Sequence, residues 1–411
     1  GGAMGGAPCG GSGKASAASR DDSASGGAPL RVGLISDIQY ADCEDGQDFS
    51  GIEKRHYRNA LSIAKAAVKH WNEAGVEVLV QLGDVIDGCN KNLGASQTAL
   101  AAVTEALGQC SARTRLDLIG NHELYNISRQ ALPTSGLRCC GAGGRTYRCE
   151  PLNDHWEAVC LDPYEHALIG FASQSDAGFA KAVEVMQAAN PQVLRGGGGD
   201  WFTGQPEDMH RFVPYNGGVS SQQLSWLDDA LSDAALAGRK ALVFSHVPLF
   251  RPATKFKTLV WNAEEILRVL HAHQDTVVAV FAGHDHDGGY AVDDAGLHHV
   301  TMNSPLTAAV GSDCCAVLEC HDDGWARFVA FGRACVESET LGAGRAYTEL
   351  VLAKGATNSP AGPSLYDADG SGFRRLVALG FSGTQAREAM RATGGDVALA
   401  EERLRRAAGP G

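Results

Sequence analysis

A chain of 411 residues, 44% hydrophobic and 20% charged, has the make-up of an ordinary soluble protein of two domains or one large domain with appendages. Its net charge of −13 argues against nucleic acid as the main partner, because phosphate backbones recruit Lys and Arg surfaces. No run approaches the ~18 apolar residues of a membrane span, and TVVAVFAG (276–283) reads as a buried strand.

Residues 1–29 are mostly Gly, Ala and Ser and read as a disordered tail with no apolar core of a secretory signal; the first residue is Gly, not an initiator Met. From 30 to 354, short β-like runs alternate with helical stripes. RVGLIS (31–36) precedes a stripe over 57–75, which leads to EVLVQLGD (77–84). A stripe over 97–110 is followed by RLDLIGN (115–121), and one over 222–238 by ALVFSH (241–246). The last stripe (263–273) runs into the 276–283 strand, after which GLHHVTMN (296–303) and WARFVAFG (325–332) read as successive strands. This alternation predicts an α/β domain with helices flanking a mixed sheet. RGGGGD (195–200) reads as a surface loop, 355–364 as a linker, and 365–408 as a small helical unit.

Five of the strand-like runs end in polar clusters, and ligands of α/β sheets gather beyond the carboxyl ends of strands. Together the clusters offer Asp37, Gln39, Asp84, Asp87, Asn121, His122, His246, His284 and His286. Such an oxygen and nitrogen set without thiolates suits Mn, Fe or Zn. Gly83 and Gly120 permit close backbone approach to this centre.

In order and spacing, D-I-Q, G-D-V-I-D, G-N-H-E, S-H-V-P and G-H-D-H resemble the calcineurin-like metallophosphoesterases, a β-sandwich flanked by helices. The resemblance implies two divalent metal ions. Asp37, Gln39, Asp84 and His286 would surround one, and Asp84, Asn121, His246 and His284 the other, with Asp84 shared. A shared carboxylate lowers the repulsion between two cations held ~3.5–4 Å apart. Asp87 would orient a ligand, and His122 would sit over the phosphoryl oxygens or the leaving group.

Gln39 departs from the usual imidazole at its position. A glutamine offers only its carbonyl oxygen, a harder ligand, which shifts preference from Zn and Fe towards Mn. D-I-Q followed by Y-A-D resembles the manganese-dependent ADP-ribose/CDP-alcohol diphosphatases. So do EDGQDF (44–49), YRNAL (57–61), LDPYE (161–165) and FVPYNGGVSSQQLSWLDDAL (212–231). The reaction this resemblance implies is hydrolysis of ADP-ribose or a CDP-alcohol such as CDP-choline to a nucleoside monophosphate and a phosphorylated sugar or alcohol. The alternatives are a cyclic-nucleotide or other phosphodiesterase or phosphatase at the same site, or a ubiquitin-binding adaptor with an inactive fold. Phe49 is the candidate wall for the nucleobase and Arg55 for a phosphate or the ribose, with loop packing and a solvated helix end as the plain alternatives. Asn216 in YNGG reads as a turn former, with a substrate-facing side chain as the alternative.

Other histidines read as structural. His271 and His273 share a helix, where i and i+2 point nearly opposite ways. His298 and His299 alternate faces of a strand, so one is expected to be exposed. The twelve cysteines show no CxxC spacing and read as reduced thiols of a cytoplasmic protein, with one bridge among Cys139, Cys140, Cys149 and Cys160 left open. Cys89 reads as inert packing.

From Ser371 three short stripes succeed one another, with LGF (379–381) and GGDV (394–397). They resemble a ubiquitin-associated (UBA) three-helix domain, which implies ubiquitin binding through Leu379, Gly380, Phe381 and Leu404. Leu379 stands where Met is commoner.

Overall fold

The computed structural model describes residues 27–48, 51, 53–195, 200–334, 336–337, 346–356, 358, 389, 401 and 403–406. The apolar runs become strands β1 (Leu30–Ile35), β2 (Val78–Gln81) and β3 (Thr114–Asp117). Next in the chain are β4 (Arg148–Pro151), β5 (Trp156–Cys160), β6 (Lys240–Phe244) and β7 (Val277–Ala282). The set ends with β8 (Gly289–Val292), β9 (His298–Thr301), β10 (Cys314–Cys320), β11 (Ala326–Gly332) and β12 (Glu349–Leu352). Among the described residues, the α-helices of six residues or more are α1 (Tyr57–Ala74), α2 (Ser96–Gly108), α3 (Asn121–Asn126), α4 (Ala177–Ala189), α5 (Ser221–Leu236) and α6 (Ala263–Ala272).

The mixed sheet expected from sequence is two mixed six-stranded sheets. One runs β12-β11-β10-β1-β2-β3 and the other β8-β9-β7-β6-β5-β4. In the first, β1-β2-β3 are parallel and form one half of the sheet, with antiparallel strands on the β1 side; in the second, a parallel centre β5-β6-β7-β9 has an antiparallel strand at each edge. Alternate residues of both sheets share one apolar layer: Val32, Leu34, Val80, Leu242, Phe244, Phe281 and Phe328. Their neighbours Ile35, Leu79, Val243 and Val280 belong to a second core with the helices. Helices therefore cover the outer faces of a two-sheet sandwich, as the period-2 strands and amphipathic stripes require.

α1 shows the logic. Ala60, Ile63, Ala64, Ala67, Val68 and Trp71 repeat at helical spacing and are all buried. Trp71 Nε1 donates to Ala316 O at 3.0 Å, pinning the helix to β10. Truncating such a buried indole costs about 3–5 kcal/mol.

His298 and His299 depart from expectation, because both are buried, at 1% and 2% exposure. Both faces of β9 are covered. His298 packs on the Tyr290 ring, and His299 packs on Phe250. Cys139, Cys140, Cys149 and Cys160 are all free; the Cys139 and Cys140 sulfurs lie 3.7 Å apart, well beyond a bond of about 2.05 Å. No helix among the described residues is long and apolar enough to cross a membrane.

Candidate active site

Parallel strands deliver their carboxyl ends to one edge, and the loops after β1, β2, β3, β6 and β7 meet there. The first two loops are laced together. Asp37 N–H donates to Gly83 O at 3.0 Å, Gln39 N–H to Asp84 O at 2.8 Å, and Tyr40 N–H to Val85 O at 3.1 Å. Asp37, Gln39, Asp84 and His284 have φ of 50°, 45°, 58° and 68°, and they are the positive-φ residues other than glycine among those described. Strain at non-glycine residues persists where the surroundings over-determine it, and here it marks candidate ligands. At Gly83 (φ 108°) a Cβ would fall 2.4 Å from His246 Nδ1, and at Gly120 one would fall 2.0 Å from Asp84 Oδ1. The expected close approach at these two glycines is thus present.

Asp84 lies at the centre. Its Oδ1 accepts His122 N–H at 2.8 Å, and Gln39 Nε2 donates to its Oδ2 at 3.1 Å. His246 Nε2 lies 3.4 Å from Oδ2. Asp84, His246 and His284 each present a ligand atom within 4.8 Å of the others. On the other side, His286 Nε2 is 3.6 Å from Asp37 Oδ1 and 2.9 Å from Gln39 Nε2. Asn121 Nδ2 donates to Tyr125 Oη, and its Oδ1 accepts from Tyr164 Oη, each at 3.2 Å.

The set fits a pair of hard to borderline cations. Asp37 Oδ1 and Gln39 Oε1 are buried without hydrogen-bond partners, a costly arrangement unless a ligand uses their lone pairs, and His246 Nε2 is likewise unpartnered and would exchange its proton for a cation. A half-turn of the Gln39 amide brings Oε1 to the point where Asp84 and His286 converge, the orientation a cation needs.

The charges agree. Burial works against the Asp84 carboxylate, but the His246 charge outweighs it and holds its pKa well below the ordinary range. Burial also opposes a charge on His246, yet Asp84 lifts it to about 9. A cation binding His246 must therefore displace a proton. Burial and the His246 charge push His284 down to about 3, so its ring stays neutral and ready to ligate.

His122 Nδ1 accepts the Gly88 N–H at 2.7 Å, which leaves Nε2 as the proton-bearing end of a neutral ring, 4.0 Å from Asp84 Oδ2. Asp87 Oδ2 is 3.3 Å from the same Nδ1 but forms no hydrogen bond. Asp87 Oδ1 accepts Cys89 N–H at 2.8 Å and shapes the turn that carries Gly88. Arg55 Nη1 lies 4.0 Å from Asp87 Oδ2, and its Nε is buried without a partner. Burial and Asp87 push the Cys89 thiol up, which keeps it protonated and unreactive. Phe49, Leu379, Gly380 and Phe381 lie outside the described residues, whereas Leu404 is buried on a helical segment.

Glu123 was not singled out from sequence, and Asn216 was read chiefly as a turn former. Glu123, the last letter of G-N-H-E, accepts backbone N–H groups of Asp84 (2.7 Å), Val85 (2.6 Å) and Gly120 (2.8 Å). It ties the second and third loops together, while burial and Asp84 raise it to about 7. Asn216 does close a turn, its N–H donating to Val213 O at 3.2 Å, and its side chain also meets His284: its Oδ1 is 2.7 Å from His284 Nε2. The YNGG stretch gave no sign of that contact, which depends on a partner 68 residues away.

Comparison with known proteins agrees with this geometry. A calcineurin-like phosphoesterase domain matches residues 30–288, and a UBA/TS-N domain matches 374–404. A manganese-dependent ADP-ribose/CDP-alcohol diphosphatase of Danio rerio is 34% identical over 75% of this chain and 97% of its own length. Its counterpart in Arabidopsis thaliana is 32% identical over 71% of this chain and 91% of its own. The crystal structure of a dimetal phosphatase from Danio rerio superposes with a TM-score of 0.70 at 30% identity, covering 80% of this chain and all of that one. Likeness on this scale, along nearly the whole of each relative, places the chain in the manganese-dependent ADP-ribose/CDP-alcohol diphosphatase family of calcineurin-like phosphoesterases.

Proposed function

We propose that this enzyme hydrolyses the pyrophosphate bond of ADP-ribose and CDP-alcohols with two Mn²⁺ ions. The observation that carries the reading is the convergence on Asp84 of His246, His284 and Gln39, beside buried lone pairs that no protein group uses. Asp37, Gln39, Asp84 and His286 would hold one ion, and Asp84, Asn121, His246 and His284 the other. Bound there, the pair would clamp the phosphoryl oxygens and activate water for in-line attack.

The chain's own groups do the rest. His122, with its donor nitrogen turned inward by the Gly88 N–H, stabilises charge on the phosphoryl oxygens or the departing phosphate. That leaving group is a phosphate monoester with a second pKa of about 6, so it needs little protonation. Arg55, with an unpartnered Nε beside Asp87, serves the second phosphate or the ribose. Phe49 is assigned to the nucleobase. Asp87 keeps the 88–90 turn in place.

The reading extends to a catalytic body over 30–354, a linker over 355–364 and a three-helix module over 365–408 that takes ubiquitin through Leu379, Gly380, Phe381 and Leu404. The UBA/TS-N match supports the last point. A reducing, cytoplasmic compartment suits the free thiols.

The test is a substrate panel with added Mn²⁺: ADP-ribose, CDP-choline, cyclic AMP and a phosphopeptide. The expected outcome is AMP from the first and CMP from the second, at rates well above the other two. Faster turnover of cyclic AMP or the phosphopeptide would overturn the substrate assignment. Ubiquitin retained on a column by the full chain, but not by Phe381→Ala, would support the C-terminal reading.

A further inference from the structure

Asn216 is fully buried, between the 207–211 turn and the start of α5. Its Nδ2 donates to Arg211 O at 2.9 Å and to Lys257 O at 3.0 Å, carbonyls from two separate loops. Both amide hydrogens are thus engaged, and the amide cannot turn end for end without facing oxygen with oxygen. Its Oδ1 then points at His284 Nε2 from 2.7 Å. An amide oxygen carries no hydrogen, so the imidazole must donate. The proton resides on Nε2, and Nδ1 keeps the lone pair. His284 is held from its backbone as well, where N–H donates to Asp37 Oδ2 at 2.9 Å.

We infer that Asn216 is a positioning residue that locks His284 in the Nε2-protonated form, so that Nδ1 is the nitrogen offered to the second metal ion. Through it, the 207–217 and 255–258 segments, which bear no proposed metal ligand, set the affinity of that one site. A histidine ligand whose outer nitrogen is held in this way commonly loses about 10–100-fold in metal affinity when the holder is removed. The inference rests on the two-metal reading but not on the identity of the substrate.

Two variants of the full chain separate positioning from packing. Asn216→Leu and Asn216→Asp both lose the donors to the Arg211 and Lys257 carbonyls, so both should melt lower than wild type. Only the leucine also loses the acceptor. In Mn²⁺ titrations monitored by electron paramagnetic resonance, Asn216→Leu should weaken one ion by about 10–100-fold and leave the other unchanged. Asn216→Asp should bind both within a few fold of wild type. In metal-free, ¹⁵N-histidine-labelled wild-type protein, His284 should be protonated at Nε2, a readout that needs no variant to fold.

Two undisturbed Mn²⁺ sites in Asn216→Leu, equal weakening of both ions in both variants, or a proton on His284 Nδ1 in wild type would each overturn the inference. A wild-type chain that binds fewer than two ions would overturn the two-metal reading instead, with the tautomer still deciding the role of Asn216.

Discussion

Two places among the described residues set one aspartate against two histidines, and only one of them gathers several unpartnered donors around the carboxylate. At the candidate site, Asp84 faces His246 and His284, and His246 Nε2 and the nearby Asp37 Oδ1 and Gln39 Oε1 have no hydrogen-bond partner. On the flank of the second sheet, Asp293 faces His271 and His299. There, Oδ2 accepts from both Nε2 atoms at 2.9 Å, while Oδ1 accepts from Ala295 and Leu297 N–H at 3.0 Å. The carboxylate is saturated, and the cluster ties α6 and β9 to the 293–297 turn. Residue types alone do not separate a metal centre from a structural clasp. At the clasp His299 Nδ1 is also left over, but alone; the difference lies in whether several unused donors from different loops are gathered around the carboxylate.

The sharpest break of this comparison is a pair of substitutions. Asp84→Asn should lower kcat/KM by about 10³-fold or more, since it removes the shared ligand and the charge that offsets two cations. Asp293→Asn should leave kcat/KM within a few fold of wild type and cost about 1–3 kcal/mol in urea unfolding, from hydrogen bonds left unmade. A folded Asp293→Asn protein as inactive as Asp84→Asn would undo the distinction.

Metal removal probes the same contrast through stability. Mn²⁺ at a hundred times its Kd should raise the unfolding free energy of chelator-treated protein by about 2.7 kcal/mol for each ion bound. Asp293→Asn should show the same gain and Asp84→Asn almost none.

A smaller effect concerns which metal works. Gln39→His should raise activity with Zn²⁺ or Fe²⁺ relative to Mn²⁺ by about tenfold, because imidazole is the softer ligand. An unchanged metal profile would remove the reason given for the glutamine.

The smallest effect is on pH dependence. Burial lowers His298 and His299 below their ordinary value near 6.5. The unfolded chain therefore binds protons that the folded one refuses, so stability is full above about pH 6.5 and declines as pH falls towards the folded values. In metal-free protein, His298→Gln should flatten that slope between about pH 7 and 5, and an unaltered slope would show that this histidine does not titrate on unfolding.

Much of the site could be read in the sequence because its ligands sit next to features with local signatures. Asp37, Asp84, Asn121, His246 and His284 each come a few residues after an apolar run, and Gly83 and Gly120 mark where a side chain would collide. The readings that needed revision or completion concern contacts across the fold. Asn216 resembles any turn asparagine until the 257 and 284 loops are brought to it. His298 and His299 alternate as a strand demands, and only the layers packed on both sides of β9 bury the pair.

Local patterning, then, determined the strands, the helices and the polar groups at the strand ends, because hydrophobic period and turn chemistry act over a few residues. Tertiary structure decided which polar groups keep an unused lone pair, how the Asp87 turn reaches His122 through Gly88, and which nitrogen His284 presents. Those outcomes depend on partners tens to hundreds of residues away, which meet only when the two sheets close on each other.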